Sequence, residues 1–228
     1  MARLHFIRHG QASFWADDYD RLSSLGVLQS KRAGERFARL ASRKRLRVIS
    51  GGMRRHLETV KALGEGLGCS ICHEVDEGWN EVDHARILMA ERGSLPDMEA
   101  LRQWCHAQPE PVSAFQLVYD AALARWASGV HDEDYAESYA AYVTRVGKAL
   151  KAATPTRDEL LIVTSGGPIS TVIQSILGLS DERSRDIQQV LVNAGITTLS
   201  TSGGRVRLLS FNRLDHLEAD DGSFITSR

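Results

Sequence analysis

The sequence predicts an α/β fold, a three-layer sandwich in which a mostly parallel central sheet is covered by helices on both faces. Two observations lead to this fold class. Short apolar runs alternate with amphipathic stretches along most of the 228 residues, which is the pattern of strands joined by helices. The clearest apolar run, residues 160–163, ends in two β-branched residues, as expected of a strand that is buried on both faces.

The first half of the chain shows this alternation in order. Residues 4–7 form a short apolar run, and residues 46–49 form a second one, so each predicts a buried strand. Apolar residues at helical spacing predict one helix over about 25–43 and another over about 53–67. Apolar Ile71 and Val75 would share one face of an extended segment over residues 70–75, which favours a third strand.

The stretch over about residues 80–155 contains no convincing strand, and we predict a helical insertion there within a single domain of residues 1–228. Asp132 and Asp134 are expected to be N-caps of the last helix of this insertion. The spacing of apolar and aromatic residues predicts three helices, near residues 98–104, 117–125 and 135–146.

The last part of the chain returns to the strand and helix pattern. Pro168 follows the clearest strand and suits the first turn of a helix. Apolar residues within 169–177 recur with the spacing of a buried helical stripe. Residues 196–199 and 206–211 predict a final pair of strands, joined by a turn that contains two glycines.

The composition excludes several classes of function. The formal net charge is −1, so no basic field draws the protein to nucleic acid or to anionic lipid. The apolar run near the N-terminus is too short for a signal peptide, and no stretch approaches the ~20 apolar residues of a membrane span. We therefore expect a cytoplasmic protein that binds neither nucleic acid nor membranes. The sequence does not determine the oligomeric state, and aromatic residues of the insertion are compatible with a dimer interface.

The three cysteines raise a separate question. An odd and low number of cysteines argues against a disulfide framework. Cys69, Cys72 and His73 match the spacing of c-type haem attachment. However, we expect no exported haem protein, because we recognise no signal peptide in the sequence and the positions of Ile71 and Val75 suit a strand. No further ligand set for a zinc site is evident either.

Polar side chains follow three of the predicted strands, where each strand gives way to a helix. Arg8 and His9 follow the first strand, Arg55 lies just beyond the second, and residues 164–167 follow the strand at 160–163. Ligands of open α/β sheets bind beyond the carboxyl ends of the strands, and helix N-termini there favour anions. Because arginine matches the geometry of phosphate, the sequence predicts a phosphate site.

The segment Phe6-Ile7-Arg8-His9-Gly10-Gln11 resembles the Arg-His-Gly signature of the histidine phosphatase superfamily, which includes the cofactor-dependent phosphoglycerate mutases. The tripeptide gains specificity from its position at the end of the first predicted strand. Further segments resemble the same family and together span most of the chain, namely residues 20–29, 50–59, 137–146 and 193–197.

The resemblance implies a phosphohistidine mechanism, in which His9 is the nucleophile. Arg8 and Arg55 would hold the phosphoryl oxygens, with Arg54 as the competitor of Arg55. The general acid would be Glu81, in the segment Trp79-Asn80-Glu81, with Glu77 as the less favoured alternative. We expect no cofactor, and no metal is implied, because arginines carry the phosphate charge and no carboxylate cluster is evident.

One departure from the family concerns the second histidine, which in the family follows the last core strand. Ser165 stands at that position, and with Gly166 it is expected to contact the phosphoryl group. A serine hydroxyl donates one hydrogen bond but carries no charge, and loss of one such donor commonly costs about 10²–10³ in rate. His84, three residues after Glu81, is a candidate substitute.

We therefore expect a phosphatase acting on a small phosphomonoester, although two alternatives stay open. One is a phospho-ligand-binding member with weakened catalysis, and the other is a phosphoglycerate-mutase-type phosphotransferase. Trp15 lies near the position of a mutase asparagine, and the basic segment that clamps the mutase substrate is not found. Phe14, Trp15 and Trp79 would either line an entrance or pack in the core.

Overall fold

The computed structural model describes residues 2–12, 20–41, 46–153, 159–218 and 223–227. Its centre is a six-stranded sheet with the strand order β3-β2-β4-β1-β5-β6. The strands are β1 (Ala2–Arg8), β2 (Leu46–Ser50), β3 (Glu74–Val75), β4 (Glu159–Thr164), β5 (Ile196–Ser202) and β6 (Arg205–Arg213).

The pairing of the strands aligns three of their carboxyl ends at one edge of the sheet. Strand β4 lies between β2 and β1 and is parallel to both. In this register Arg8 is opposite Thr164, and Ser50 is opposite Val163. Strand β3 is parallel to β2. Beyond β1, strand β5 pairs antiparallel with β1, and β6 pairs antiparallel with β5. The prediction of a mostly parallel sheet is confirmed.

Eight α-helices accompany the sheet in the part of the chain that is described. They are α1 (Ser24–Ala41), α2 (Arg54–Leu67), α3 (His84–Glu91), α4 (Met98–His106), α5 (Pro111–Ala127), α6 (Tyr139–Ala153), α7 (Gly166–Leu177) and α8 (Asp181–Val190). Within these ranges no helix is both long enough and apolar enough to cross a membrane.

Apolar side chains cover both faces of the sheet. On one face, alternate strand residues such as Ile7, Leu161 and Val163 pack with Phe37 of α1 and Leu63 of α2. On the other face, Phe6 and the fully buried Trp79 meet edge to face, with ring centroids 5.4 Å apart. Burial of this kind stabilises by roughly 25 cal/mol per Å² of apolar surface, so packing on both faces stabilises the sheet whose carboxyl edge carries the polar residues.

The chain divides into two compact units, Met1–Glu81 with Val146–Arg228 and Val82–Arg145. The first unit contains all six strands. The second contains α3, α4 and α5, and Trp126 of α5 packs edge-on against Tyr142 at 5.3 Å. The expected organisation, one domain with a helical insertion at about 80–155, stays a prediction.

Several local expectations were wrong. The third strand covers only two residues, because the chain leaving α2 first forms a C-cap in which Cys69 N–H donates to the Gly64 carbonyl. Asp132 and Asp134 do not cap α6, since they form a 3₁₀ turn and the helix begins only at Tyr139. Helices α3 and α8 are present although the apolar pattern did not predict them.

Candidate active site

Parallel pairing brings the polar strand ends together. His9 follows β1 and Ser165 follows β4, each one residue past the opposed pair Arg8 and Thr164. The His9 N–H donates to the Thr164 carbonyl at 2.8 Å, and the Gly51 N–H donates to the Val163 carbonyl at 3.0 Å. The polar groups at the ends of β1, β2 and β4 therefore share one edge of the sheet.

The His9 ring is buried and held in one tautomer. Its Nδ1 lies 2.7 Å from the Gly10 carbonyl, which can only accept a hydrogen bond, so Nδ1 carries the proton. The second ring nitrogen, Nε2, then bears the lone pair. Burial holds the pKa of His9 well below its usual value, and the nearby charge of Arg55 and Arg8 lowers it further. The ring is therefore neutral at neutral pH.

Close packing around Gly10 fixes the backbone that carries His9. The Gly10 N–H donates to Thr59 Oγ1 at 3.1 Å, and that hydroxyl donates to the Arg55 carbonyl at 2.7 Å. A Cβ atom at Gly10 would lie only 2.2 Å from the Gly26 carbonyl oxygen. Glycine is therefore required here by the close approach of α1.

Arg55 is almost completely buried, with 3% of its surface exposed. Its Nη1 donates to Asp20 Oδ1 at 2.5 Å, and its Nη2 lies 3.4 Å from Ser165 Oγ. Arg54, the competing arginine, is exposed and its Nε donates to Glu58 at 2.7 Å. The buried guanidinium next to the strand ends therefore belongs to Arg55, and Asp20 holds it there, a contact that sequence reasoning missed.

Arg8 extends toward the start of α7. Its Nη1 donates to the carbonyls of Leu191 and Ser227, the latter at 2.9 Å. A Cβ atom at Gly166, the first residue of α7, would lie 3.8 Å from Arg8 Nε. The Arg8 guanidinium therefore lies against the N-terminus of α7, where helix N–H groups also favour an anion.

Glu81 lies at the same helix N-terminus. It is buried, and its Oε2 accepts a hydrogen bond from the Gly167 N–H at 2.9 Å. The preceding segment is held to β4, because Thr164 Oγ1 donates to the Trp79 carbonyl at 2.6 Å. Glu77, the alternative acid, is exposed in a 3₁₀ turn. Of the two carboxylates, only Glu81 is buried beside α7.

Ser165 contacts a residue that sequence reasoning missed. Its Oγ lies 2.8 Å from Nε2 of His56, which is fully buried on α2. The ring centroids of His56 and His9 are 5.8 Å apart. Burial, and then the charge of Arg55, hold the pKa of His56 well below its usual value. One signal was present, since His56 directly follows Arg55 in the motif at residues 50–59.

The structure also shows contacts or exposure for other residues that the sequence singled out. His84 begins α3, and its Nε2 lies 3.2 Å from the Tyr119 hydroxyl within the second unit. Trp79 is a core residue with no exposed surface, so it does not line an entrance. Cys69 and Cys72 are exposed free thiols. Phe14 and Trp15 lie outside the described residues.

A sequence profile described as the histidine phosphatase superfamily (branch 1) matches residues 4–214 of the chain. No curated protein matches the chain significantly.

Solved structures share the fold at low sequence identity. The phosphoserine phosphatase of Entamoeba histolytica in complex with 3-phosphoglyceric acid has 19% identity and a TM-score of 0.66, over 95% of this chain and 100% of that chain. A mutant of the same enzyme in complex with phosphoserine has 19% identity and a TM-score of 0.64, with the same coverage. The phosphoglycerate mutase of Bacillus anthracis has 17% identity and a TM-score of 0.63, over 94% of each chain.

Proposed function

Because the chain belongs to the histidine phosphatase superfamily, branch 1, we propose that it hydrolyses a small phosphomonoester through a phosphohistidine on His9. The observation that carries this proposal is the tautomer of the buried His9 ring. With Nδ1–H bound to the Gly10 carbonyl at 2.7 Å, the Nε2 lone pair is available to a phosphorus atom. The depressed pKa of His9 keeps that lone pair unprotonated at neutral pH.

The first chemical step transfers the phosphoryl group to the enzyme. The lone pair of His9 Nε2 forms a bond to phosphorus while the bond between phosphorus and the ester oxygen breaks. Glu81 gives its proton to the departing oxygen, and an alcohol leaves. Arg8 and Arg55 stabilise the charge on the phosphoryl oxygens. The burial of Arg55 beside Ser165 supports this role, because a cation attracts an anion more strongly where water is largely excluded.

The second step regenerates the enzyme. The Glu81 carboxylate takes a proton from a water molecule, whose oxygen bonds to phosphorus as the bond to His9 Nε2 breaks. Inorganic phosphate then leaves, and His9 returns to its neutral tautomer. The position of Glu81 at the N-terminus of α7, where its Oε2 meets the Gly167 N–H at 2.9 Å, supports this assignment.

The proposed substrate is a small molecule with one phosphate ester. The solved phosphoserine phosphatase, which shares this fold, was captured with phosphoserine and with 3-phosphoglyceric acid. We propose the same broad class here, and one histidine-phosphatase-like domain as the unit that carries it. A second candidate function is phospho-ligand binding without turnover, which is favoured by one observation, the serine at position 165 where the family has its second histidine.

Hydrolysis of an aryl phosphate at about pH 6–7 tests the proposal. We expect turnover by the wild-type protein and a loss of more than about 10³-fold in kcat for His9→Ala. His106→Ala is the matched control, because this histidine is exposed on α4. Acid-labile, base-stable phosphoprotein should accumulate in wild type and be absent from His9→Ala.

Two results would count against the phosphatase. Equal activity of wild type and His9→Ala would remove His9 from the mechanism. Absence of turnover in both proteins, with inorganic phosphate still bound, would replace the phosphatase by the phospho-ligand-binding alternative.

A further inference from the structure

The buried contact between Ser165 and His56 has no part in the mechanism described so far. Ser165 Oγ lies 2.8 Å from His56 Nε2 and 3.4 Å from Arg55 Nη2. All three side chains are buried, with at most 3% of their surface exposed. Ser165 is the N-cap residue of α7, yet its hydroxyl makes no capping bond to the helix. The hydroxyl is therefore directed toward α2 and not toward its own helix.

The surroundings of His56 Nδ1 indicate which ring nitrogen of His56 carries the proton. His56 Nδ1 is buried and has no hydrogen-bond partner among the described residues. It packs against Gly51, where a Cβ atom would lie 2.3 Å from Nδ1. A buried N–H group without an acceptor costs more than a buried lone pair without a donor. The neutral ring therefore carries its proton on Nε2, and this N–H donates to Ser165 Oγ.

The valence of the hydroxyl then determines what Ser165 can do. A serine oxygen has one hydrogen to donate and two lone pairs to accept with. The His56 Nε2–H takes one lone pair, and the Arg55 guanidinium, at the longer distance of 3.4 Å, takes the other. The hydroxyl hydrogen can only be donated away from both partners. Two donors on one oxygen also polarise its O–H bond, and one of them is a cation.

We propose that His56 is a positioning residue that makes Ser165 a dedicated hydrogen-bond donor to the transferring phosphoryl group. This proposal rests on the proposed function, since the donor is useful only where a phosphoryl group sits beside His9. His9 and Ser165 follow opposed residues of neighbouring strands, which places both at the same edge. The pair His56 and Ser165 thus supplies, with two side chains, a donor in the place where the family has its second histidine.

A purely structural role for His56 makes different predictions, so variants of matched size separate the two. Ser165→Ala should lower kcat for an aryl phosphate by about 10²-fold, the usual effect of losing one such donor. His56→Leu fills a similar volume without a donor, and it should lower kcat by about 10-fold with less than about a two-fold change in KM. His56→Gln presents an N–H group on a chain of similar length and should recover most of the lost kcat.

A double-mutant cycle tests whether His56 acts through Ser165. If it does, Ser165→Ala combined with His56→Leu should be no slower than Ser165→Ala alone. The proposal would be overturned if the loss of kcat in the double variant were the product of the losses in the two single variants. A His56→Gln variant that is as slow as His56→Leu would also overturn it. Thermal unfolding of each variant checks that the fold persists.

Nitrogen-15 NMR of the histidine rings provides a test that needs neither turnover nor a variant. We expect the His56 ring in the wild-type protein to be neutral with its proton on Nε2, both free and with inorganic phosphate bound. A proton on Nδ1 would overturn the proposal even in an active enzyme, because Ser165 would then donate to His56. If the His9→Ala variant shows that the protein is not a phosphatase, the NMR experiment still determines the tautomer of His56. In that case phosphate binding still tests whether Ser165 donates to the anion, because Ser165→Ala should then bind inorganic phosphate more weakly.

Discussion

Acidification should destabilise this protein through His216. The His216 Nε2 donates to the Ala194 carbonyl at 3.0 Å, and its Nδ1 is buried with no hydrogen-bond partner among the described residues. Burial lowers the pKa of His216 from 6.5 to about 4, and the charge of Arg36 contributes in the same direction. The contact has a bearing on the candidate site, because the Ala194 N–H donates to the carbonyls of Arg8 and His9.

The sign and size of the effect follow from the two pKa values. The folded state holds the proton less tightly than the unfolded chain, so the loss of stability begins as the pH falls through 6.5 and is complete below about 4. At about pH 5 the unfolded ring is almost fully protonated, whereas the folded ring is about one-tenth protonated. The difference corresponds to about 1.5 pH units at about 1.36 kcal/mol each, or about 2 kcal/mol.

Urea unfolding at about pH 7.5 and about pH 5 measures this contribution. His216→Gln is the control, because glutamine can still donate to the Ala194 carbonyl but does not titrate. The pKa values of His5, His9 and His56 are also lowered, chiefly by burial, so both proteins should lose stability in acid. The wild-type protein should lose about 2 kcal/mol more than His216→Gln. Equal losses in the two proteins would refute the reasoning.

Two further predictions concern close packing and thiol chemistry. Gly10→Ala forces a Cβ atom to 2.2 Å from a backbone carbonyl of α1, so we expect a cost of about 3 kcal/mol and a clear fall in Tm by calorimetry. Gly93→Ala, where nothing lies within 4 Å, should leave Tm unchanged, and equal Tm values for both variants would contradict the packing argument. A thiol reagent should modify the exposed Cys69 and Cys72 in the native protein. Cys105 is buried, and that burial raises its pKa, so it should react only after unfolding. Rapid modification of all three cysteines in the native protein would contradict this expectation.

The elements that the sequence predicts well are those in which local pattern and burial agree. Strand β4 and helix α7 are both apolar, and the two glycines and Pro168 that begin α7 mark the junction. Helix α8 was missed because most of its residues are polar and only Ser184 is buried. Its start depends on Ser180, whose hydroxyl accepts from the Arg183 N–H. Such a helix is specified by capping and packing more than by an apolar stripe.

In the candidate site, too, some features could be predicted from the sequence and others could not. The strand ends that carry His9 and Ser165 could be placed at one edge because parallel strands align their carboxyl ends. The contact of His56 with Ser165 could not be predicted, because the direction of a side chain on α2 depends on how that helix is rotated. It also depends on the absence of a side chain at Gly51, because a Cβ atom there would overlap the His56 ring. Sequence spacing carries neither quantity.

The charges of the candidate site explain why its histidines are neutral. Arg55 is buried next to His56 and within electrostatic reach of His9, so the guanidinium that would bind a phosphoryl group also disfavours protonation of both rings. Asp20 balances only part of this charge, since it is itself about one-third exposed. A phosphoryl dianion would satisfy the remaining positive potential of the site. In this arrangement one buried cation serves both binding and reactivity, because it attracts the anion and preserves the lone pair that is proposed to attack it.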